Sequence, residues 1–162
     1  MELDNDTQGT GSGWFDSWRG VLFASARILQ VADRDMLEHD GFPLTWFDVL
    51  ARLFDAPPAG MRMQELEELA LFNRGGMTRL VDRIEAASLV RREPVPGDRR
   101  GVRVVLTAEG RHRYAAALLR HRQVIEHEFG RRLTPAQHRA IAEALWSWWH
   151  DVGPADATQD SG

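Results

Sequence analysis

The 162-residue chain contains no cysteine and no lysine. Without cysteine there is neither a disulfide framework nor a thiol-based redox switch. Without lysine every fixed cation is an arginine, a bias that genomic base composition explains as readily as a need for bidentate phosphate contacts. Long apolar runs are missing too: none approaches the ~18 residues that span a bilayer. Residues 1–13 carry three acids and no base before Trp14, so the positive start and apolar stretch of a signal peptide are lacking, and a cytoplasmic protein is expected. The marks of catalysis are also absent. There is no P-loop, no glycine-rich dinucleotide fingerprint, no Cys nucleophile, and no triad motif among the few Ser and His residues. His112, His121 and His127 follow one another at nine and six residues, so no pair shares a helix face as metal ligands would. The expectation is no enzyme, no metal and no cofactor.

A chain of this length can bury a real core as one domain with attached helices. Its net charge of −4 would by itself disfavour a polyanionic partner, but the charge is unevenly spread. Ten Arg and five acids lie between Asn73 and Arg113, a local surplus of five, so the remainder sums to about −9. Phosphate attraction acts within a Debye length of about 10 Å, and a basic face can therefore work beside an acidic remainder.

Apolar or small residues at Trp14, Trp18, Val21, Leu22, Ser25, Ile28, Leu29, Ala32 and Met36 have helical spacing and predict a first helix from Trp14 to about His39, ended by Gly41 and Pro43. Thr45 with Asp48 three residues on reads as a capping box for a second helix, Thr45 to Asp55. A short third helix covers Met63 to Ala70. Asn73 reads as the N-cap of a fourth, Arg74 to Ala87, with Met77, Leu80, Val81 and Ile84 turned inward. The Val-rich runs 89–93 and 102–106, bounded by Pro94, Pro96, Gly97 and Gly101, predict a hairpin. Thr107 starts a fifth helix to about Arg132. Thr134, Pro135 and Gln137 open a sixth, reaching His150.

The expected fold is mainly α with a small β-hairpin wing: a winged helix-turn-helix at 44–106, a helical region at 14–43 and 107–150, and disordered tails at 1–13 and 151–162. In such a fold the second helix of the turn lies in a major groove about 12 Å wide, its N-terminus toward base edges and phosphate. That end carries Arg74, Gly75, Gly76, Thr78 and Arg79, with Arg83 one turn further on. Each glycine costs roughly 1 kcal/mol in helix propensity. Close backbone approach to DNA and close packing on the third helix both account for them. Arg99 and Arg100, expected at the tip of a Gly/Pro turn, suit a narrow, negative minor groove. Asp98 is expected to brace the turn by pairing with Arg83 or Arg100.

The ordered set GMTRLVDRIEAASLVRRE and DRRGVRVVLTAEG resembles the winged helix of the MarR family of bacterial transcription regulators, and the flanking helices extend the likeness over roughly residues 14–150. One departure is Ser88, where the family usually ends its recognition helix with Gly. The resemblance implies a homodimer held by the first, fifth and sixth helices. Six Trp, five of them in the terminal helices, exceed what a small monomer core needs, so Trp14, Trp18, Trp146 and Trp149, with Trp148 beside them, are expected at the interface. It also implies a small anionic or aromatic effector near Arg27, Trp46 and Asp48, each with an ordinary alternative: a surface ion pair, a core residue, a helix cap. The expected function is a dimeric repressor of pseudo-palindromic double-stranded DNA, released by that ligand. The alternative is a winged-helix module that binds protein and not DNA.

Overall fold

The computed structural model describes residues 13–70 and 76–152, the side chains of Arg99 and Arg100 excepted. In that range the order is α1 (Gly13–His39), α2 (Leu44–Asp55), β1 (Met61–Arg62), α3 (Met63–Leu69), α4 (Met77–Ala86), β2 (Val90–Val95), β3 (Asp98–Leu106), α5 (Ala108–Glu128) and α6 (Pro135–Val152). The mainly helical fold with a hairpin wing is the expected one. The tails expected at 1–13 and 151–162 lie outside the described residues, except that α1 takes in Gly13 and α6 runs on to Val152.

Two compact units divide the chain, one ending at Ile125 and one starting at Glu126. The first has a single core. Met36 of α1, Leu50 of α2, Leu66 of α3, Val81 and Ile84 of α4, Val104 of β3 and Ala117 of α5 all belong to it. The winged helix therefore shares its interior with the C-terminal third of α1 and the first half of α5. Ahead of Ala32, α1 has no buried residue.

Local spacing misreads the start of α2. The helix opens after Pro43, one residue before Thr45, with no side-chain cap of its own. Its first amide, on Leu44, donates instead to Oδ1 of Asp33 in α1 at 2.8 Å. Asp48 is not a cap but a buried carboxylate that accepts from Arg52 at 3.3 Å. A cap supplied by a different helix leaves no signature in the capped segment.

The sheet has three strands in the order β1-β3-β2. β1, which the sequence reading missed, pairs only Met61 with Val104 and Arg62 with Arg103. The hairpin is longer than expected: β2 and β3 pair from Val90–Leu106 to Val95–Asp98, with an irregularity at Pro94/Val95. Pro96 and Gly97 alone form the turn, and Gly97 has φ +81°, the Pro-then-Gly order that a type II turn demands. Arg99 and Arg100 thus sit on β3 just past the tip rather than at it.

At the end of α4, Ser88 adopts φ +61°. Its amide donates to Glu85 O at 2.8 Å and that of Leu89 to Ile84 O at 3.2 Å, the paired bonds of a Schellman motif, which favours glycine at this position. A left-handed L-residue costs about 1–2 kcal/mol, and Ser88 is exposed, so its side chain packs little. Ser88→Gly is accordingly expected to stabilise the fold by up to about 1 kcal/mol. Urea unfolding checks it; an unchanged or lower midpoint contradicts it.

Thr107 caps α5 as expected, its Oγ1 accepting the Gly110 amide at 2.8 Å and donating toward the carbonyls of Ser88 and Leu89 at 2.8 and 3.0 Å. The helix does not continue to Arg132. It gives way after Glu128 to a 3-10 turn at Gly130–Arg132. Within the second unit, His138 Nε2 donates to the carbonyl of Gly130 at 2.9 Å. The expected box at the start of α6 forms, with the Thr134 amide donating to Gln137 Oε1 at 2.8 Å.

Candidate nucleic-acid interface

The orientation of α4 follows from its apolar stripe. Met77, Leu80, Val81 and Ile84 are all buried, which turns Thr78, Arg79, Asp82 and Arg83 to solvent. Neither Arg79 nor Arg83 has an ion-pair partner among the described residues. Asn73, Arg74 and Gly75 lie outside the described residues. Gly76 is the N-cap, with φ −152° and no side-chain capping bond. Among the described residues a Cβ built on it would meet nothing within 4 Å, and its φ is not one that demands glycine. The first turn of α4 carries the positive end of the helix dipole, which suits an anion.

The wing is braced by Asp98. Its Oδ1 accepts the Gly101 amide at 3.0 Å and its Oδ2 accepts from Arg62 Nη1 at 3.1 Å. The expected partners were Arg83 and Arg100, and the side chain of Arg100 lies outside the described residues; Arg62 comes from β1, a strand absent from the expected fold.

The segment's basic surplus is smaller in space than in the count. Arg91 pairs with Glu93 at 2.7 Å. Arg111 lies over the Phe54 ring at 5.0 Å, and Arg113 donates to the carbonyl of Asp40 while covering Phe42 at 5.7 Å. Arg92, which the sequence reading passed over, is held by α4: Nη1 pairs with Glu85 Oε2 and Nη2 with Asp82 Oδ1 at 2.7 Å. The alternation of β2 was the available signal. Val90 is buried, so Arg92 two residues on shares its face, and a cation directed inward demands carboxylates nearby.

The residues expected at an effector site are placed differently from one another. Arg27 is exposed on α1. Trp46 is half-buried and stacked on Phe42, with ring centroids 6.2 Å apart. Asp48 is buried beside Arg52. On α5, His121 packs its ring 4.7 Å from that of Phe47. Burial holds it below the ordinary imidazole range, with nearby Asp35 acting in the opposite sense. Burial likewise raises Tyr114, reinforced by Asp55. Trp14, Trp18, Trp146, Trp148 and Trp149 are all exposed. No group of three or more His, Asp or Glu among the described residues could hold a metal, and no described helix is long and apolar enough to cross a membrane.

Residues 40–101 match the model of the MarR family. The fold superimposes on Sco3205 of Streptomyces coelicolor, a MarR family transcriptional regulator solved in complex with DNA, with a TM-score of 0.80 and 26% identity over 96% of this chain and 97% of that one. Over residues 40–101 the chain resembles the MarR family. That family consists of transcription regulators rather than enzymes. A curated relative, the HTH-type transcriptional regulator PecS of Dickeya dadantii, is 37% identical over 65 residues, 40% of this chain. The match spans 39% of PecS. Bordetella bronchiseptica BpsR, whose DNA binding is regulated by 6-hydroxynicotinic acid, shares the fold with a TM-score of 0.70 and 22% identity over 82% of this chain and 98% of its own. The interval that matches the MarR family model holds Thr78, Arg79, Arg83, Asp98, Arg99 and Arg100. Arg27 and the five terminal-helix Trp lie outside it.

Proposed function

We propose that this chain is a MarR-like, cytoplasmic, homodimeric transcription repressor that binds a pseudo-palindromic operator and is released by a small anionic or aromatic ligand. The observation that carries the DNA reading is the outer face of α4, where Thr78, Arg79 and Arg83 stand exposed along the N-terminal two turns of the helix. Arg74 and Gly75, together with Arg99 and Arg100 on the wing strand, complete the proposed contact set. The complex of Sco3205 with DNA supports this reading. The exposed Trp of α1 and α6 support self-association, since monomers seldom expose large apolar patches. Two recognition helices then address half-sites about one helical turn, roughly 34 Å, apart. For the ligand, BpsR supports the class, and Arg27 with Trp46 supplies a cation and an aromatic plane; Asp48 takes part only if it exchanges its bond to Arg52.

The test begins with DNA selected from genomic fragments by the purified protein, followed by fluorescence anisotropy. Arg79→Ala and Arg83→Ala are each expected to weaken binding by about 1–3 kcal/mol if they read bases, and to change the preference among operator variants. Weaker binding with the same preference assigns them to phosphate. No retained fragment and no binding at low salt would rule out the DNA function. Adding 6-hydroxynicotinic acid and related aromatic acids to the bound complex tests release, with Arg27→Ala expected to blunt the response. A complex indifferent to the whole panel removes the ligand from the proposal.

A further inference from the structure

Two of the residues on or beside the solvent face of α4 are carboxylates, an awkward composition for a helix that approaches phosphate. Asp82 has 57% of its side chain exposed and Glu85 35%. Both are taken up by Arg92 of β2, itself only 26% exposed. The two ends of the guanidinium are used separately: Nη1 serves Glu85 Oε2, while Nη2 serves Asp82 Oδ1 at 2.7 Å and the Thr78 carbonyl at 3.3 Å. The Arg92 amide adds a bond to Glu85 Oε1 at 2.7 Å. One side chain thus spans two turns of the recognition helix, and the planar fork of Arg permits this where the point charge of Lys does not.

We infer that Arg92 is a positioning residue for DNA recognition, which ties the wing strand to α4 and withdraws Asp82 and Glu85 from the phosphate field without touching DNA itself. The inference rests on the DNA-binding reading above. Arg92, Asp82 and Glu85 together carry one negative charge. Without the Arg92 guanidinium they carry two, on carboxylates within a Debye length of any bound backbone. The loss of affinity therefore comes from uncovered acids, and neutralising an acid restores it.

The experiment is a double-mutant cycle in DNA affinity on the full chain, using Arg92→Gln to keep side-chain bulk and Asp82→Asn to remove one charge. Circular dichroism melts fix a temperature at which all four proteins are folded. Arg92→Gln is expected to weaken binding at least tenfold. Asp82→Asn is expected to change the affinity of the wild type less than threefold but to recover at least fivefold in the Arg92→Gln background. Equal effects of Asp82→Asn in both backgrounds overturn the inference. So does a loss that is not recovered and that lowers the log–log salt slope by ~0.9, the sign of a lost phosphate contact. Glu85→Gln repeats the cycle with a second acid, should Arg92→Gln not fold with Asp82→Asn. A wild type that binds no DNA instead removes the reading on which the inference stands.

Discussion

Replacing Gly110 with Ala is expected to destabilise the chain by about 3 kcal/mol or more, well above the usual effect of a single added methyl group. A Cβ at Gly110 would lie 1.9 Å from the Leu89 carbonyl oxygen and 2.8 Å from its carbon. That carbonyl cannot retreat freely. It already accepts the Thr107 amide at 3.0 Å and the Thr107 hydroxyl at 3.0 Å, and Leu89 is the residue that closes the Schellman motif after α4. Moving it would loosen the end of α4, the start of the hairpin and the cap of α5 together. For a chain of this size the melting temperature should fall by roughly 2–4 °C for each kcal/mol. Gly20→Ala is the control, because a Cβ there meets nothing within 4 Å and helix propensity favours Ala by about 1 kcal/mol. A Gly110→Ala protein that melts with the wild type would show that the contact yields at no cost.

The second large effect concerns self-association. α1 exposes Trp14, Phe15, Trp18 and Leu22, and α6, taken by itself, buries nothing while exposing Trp146, Trp148 and Trp149. In the proposed dimer these are the aromatic anchors. Truncating one such anchor typically costs 2 kcal/mol or more, and about 1.4 kcal/mol is a tenfold change in the dissociation constant. Trp18→Ala and Trp149→Ala are each expected to weaken dimerisation by about thirtyfold or more, and to weaken operator binding in parallel although neither side chain reaches DNA. Sedimentation from nanomolar to micromolar concentration measures this. A wild type that stays monomeric at micromolar concentration, or variants that associate as tightly as it does, would remove these residues from the interface.

The reach of the sequence reading follows from where each signal originates. The stripe of α4, the Thr107 and Thr134 caps and the hairpin were legible because their causes lie within a few residues of their effects. The features that escaped depend on partners far along the chain. The cap of α2 comes from Asp33, the brace of Asp98 comes from Arg62 36 residues away, and β1 consists of only two residues that pair across the sheet. At the candidate site, composition identified the basic segment but overstated it, since Arg92, Arg111 and Arg113 are occupied by neighbours that only the folded chain brings close. Ser88 shows the converse: its departure from glycine alters neither the bonds nor the handedness of the motif, because the backbone bonds around it hold a residue that would not choose that conformation.

The unbroken core joining the winged helix to the end of α1 makes that helix a lever. At 1.5 Å per residue its 27 residues span about 40 Å, and the winged helix, the head of the proposed DNA contact, is fixed to one end through a shared core. In the proposed dimer a tilt of one degree at the far end of α1 swings the head by about 0.7 Å over that length, already more than the ~0.5 Å within which a recognition geometry must be held. A signal that rotates the lever slightly would detach the heads from their half-sites without disturbing a single contact inside them.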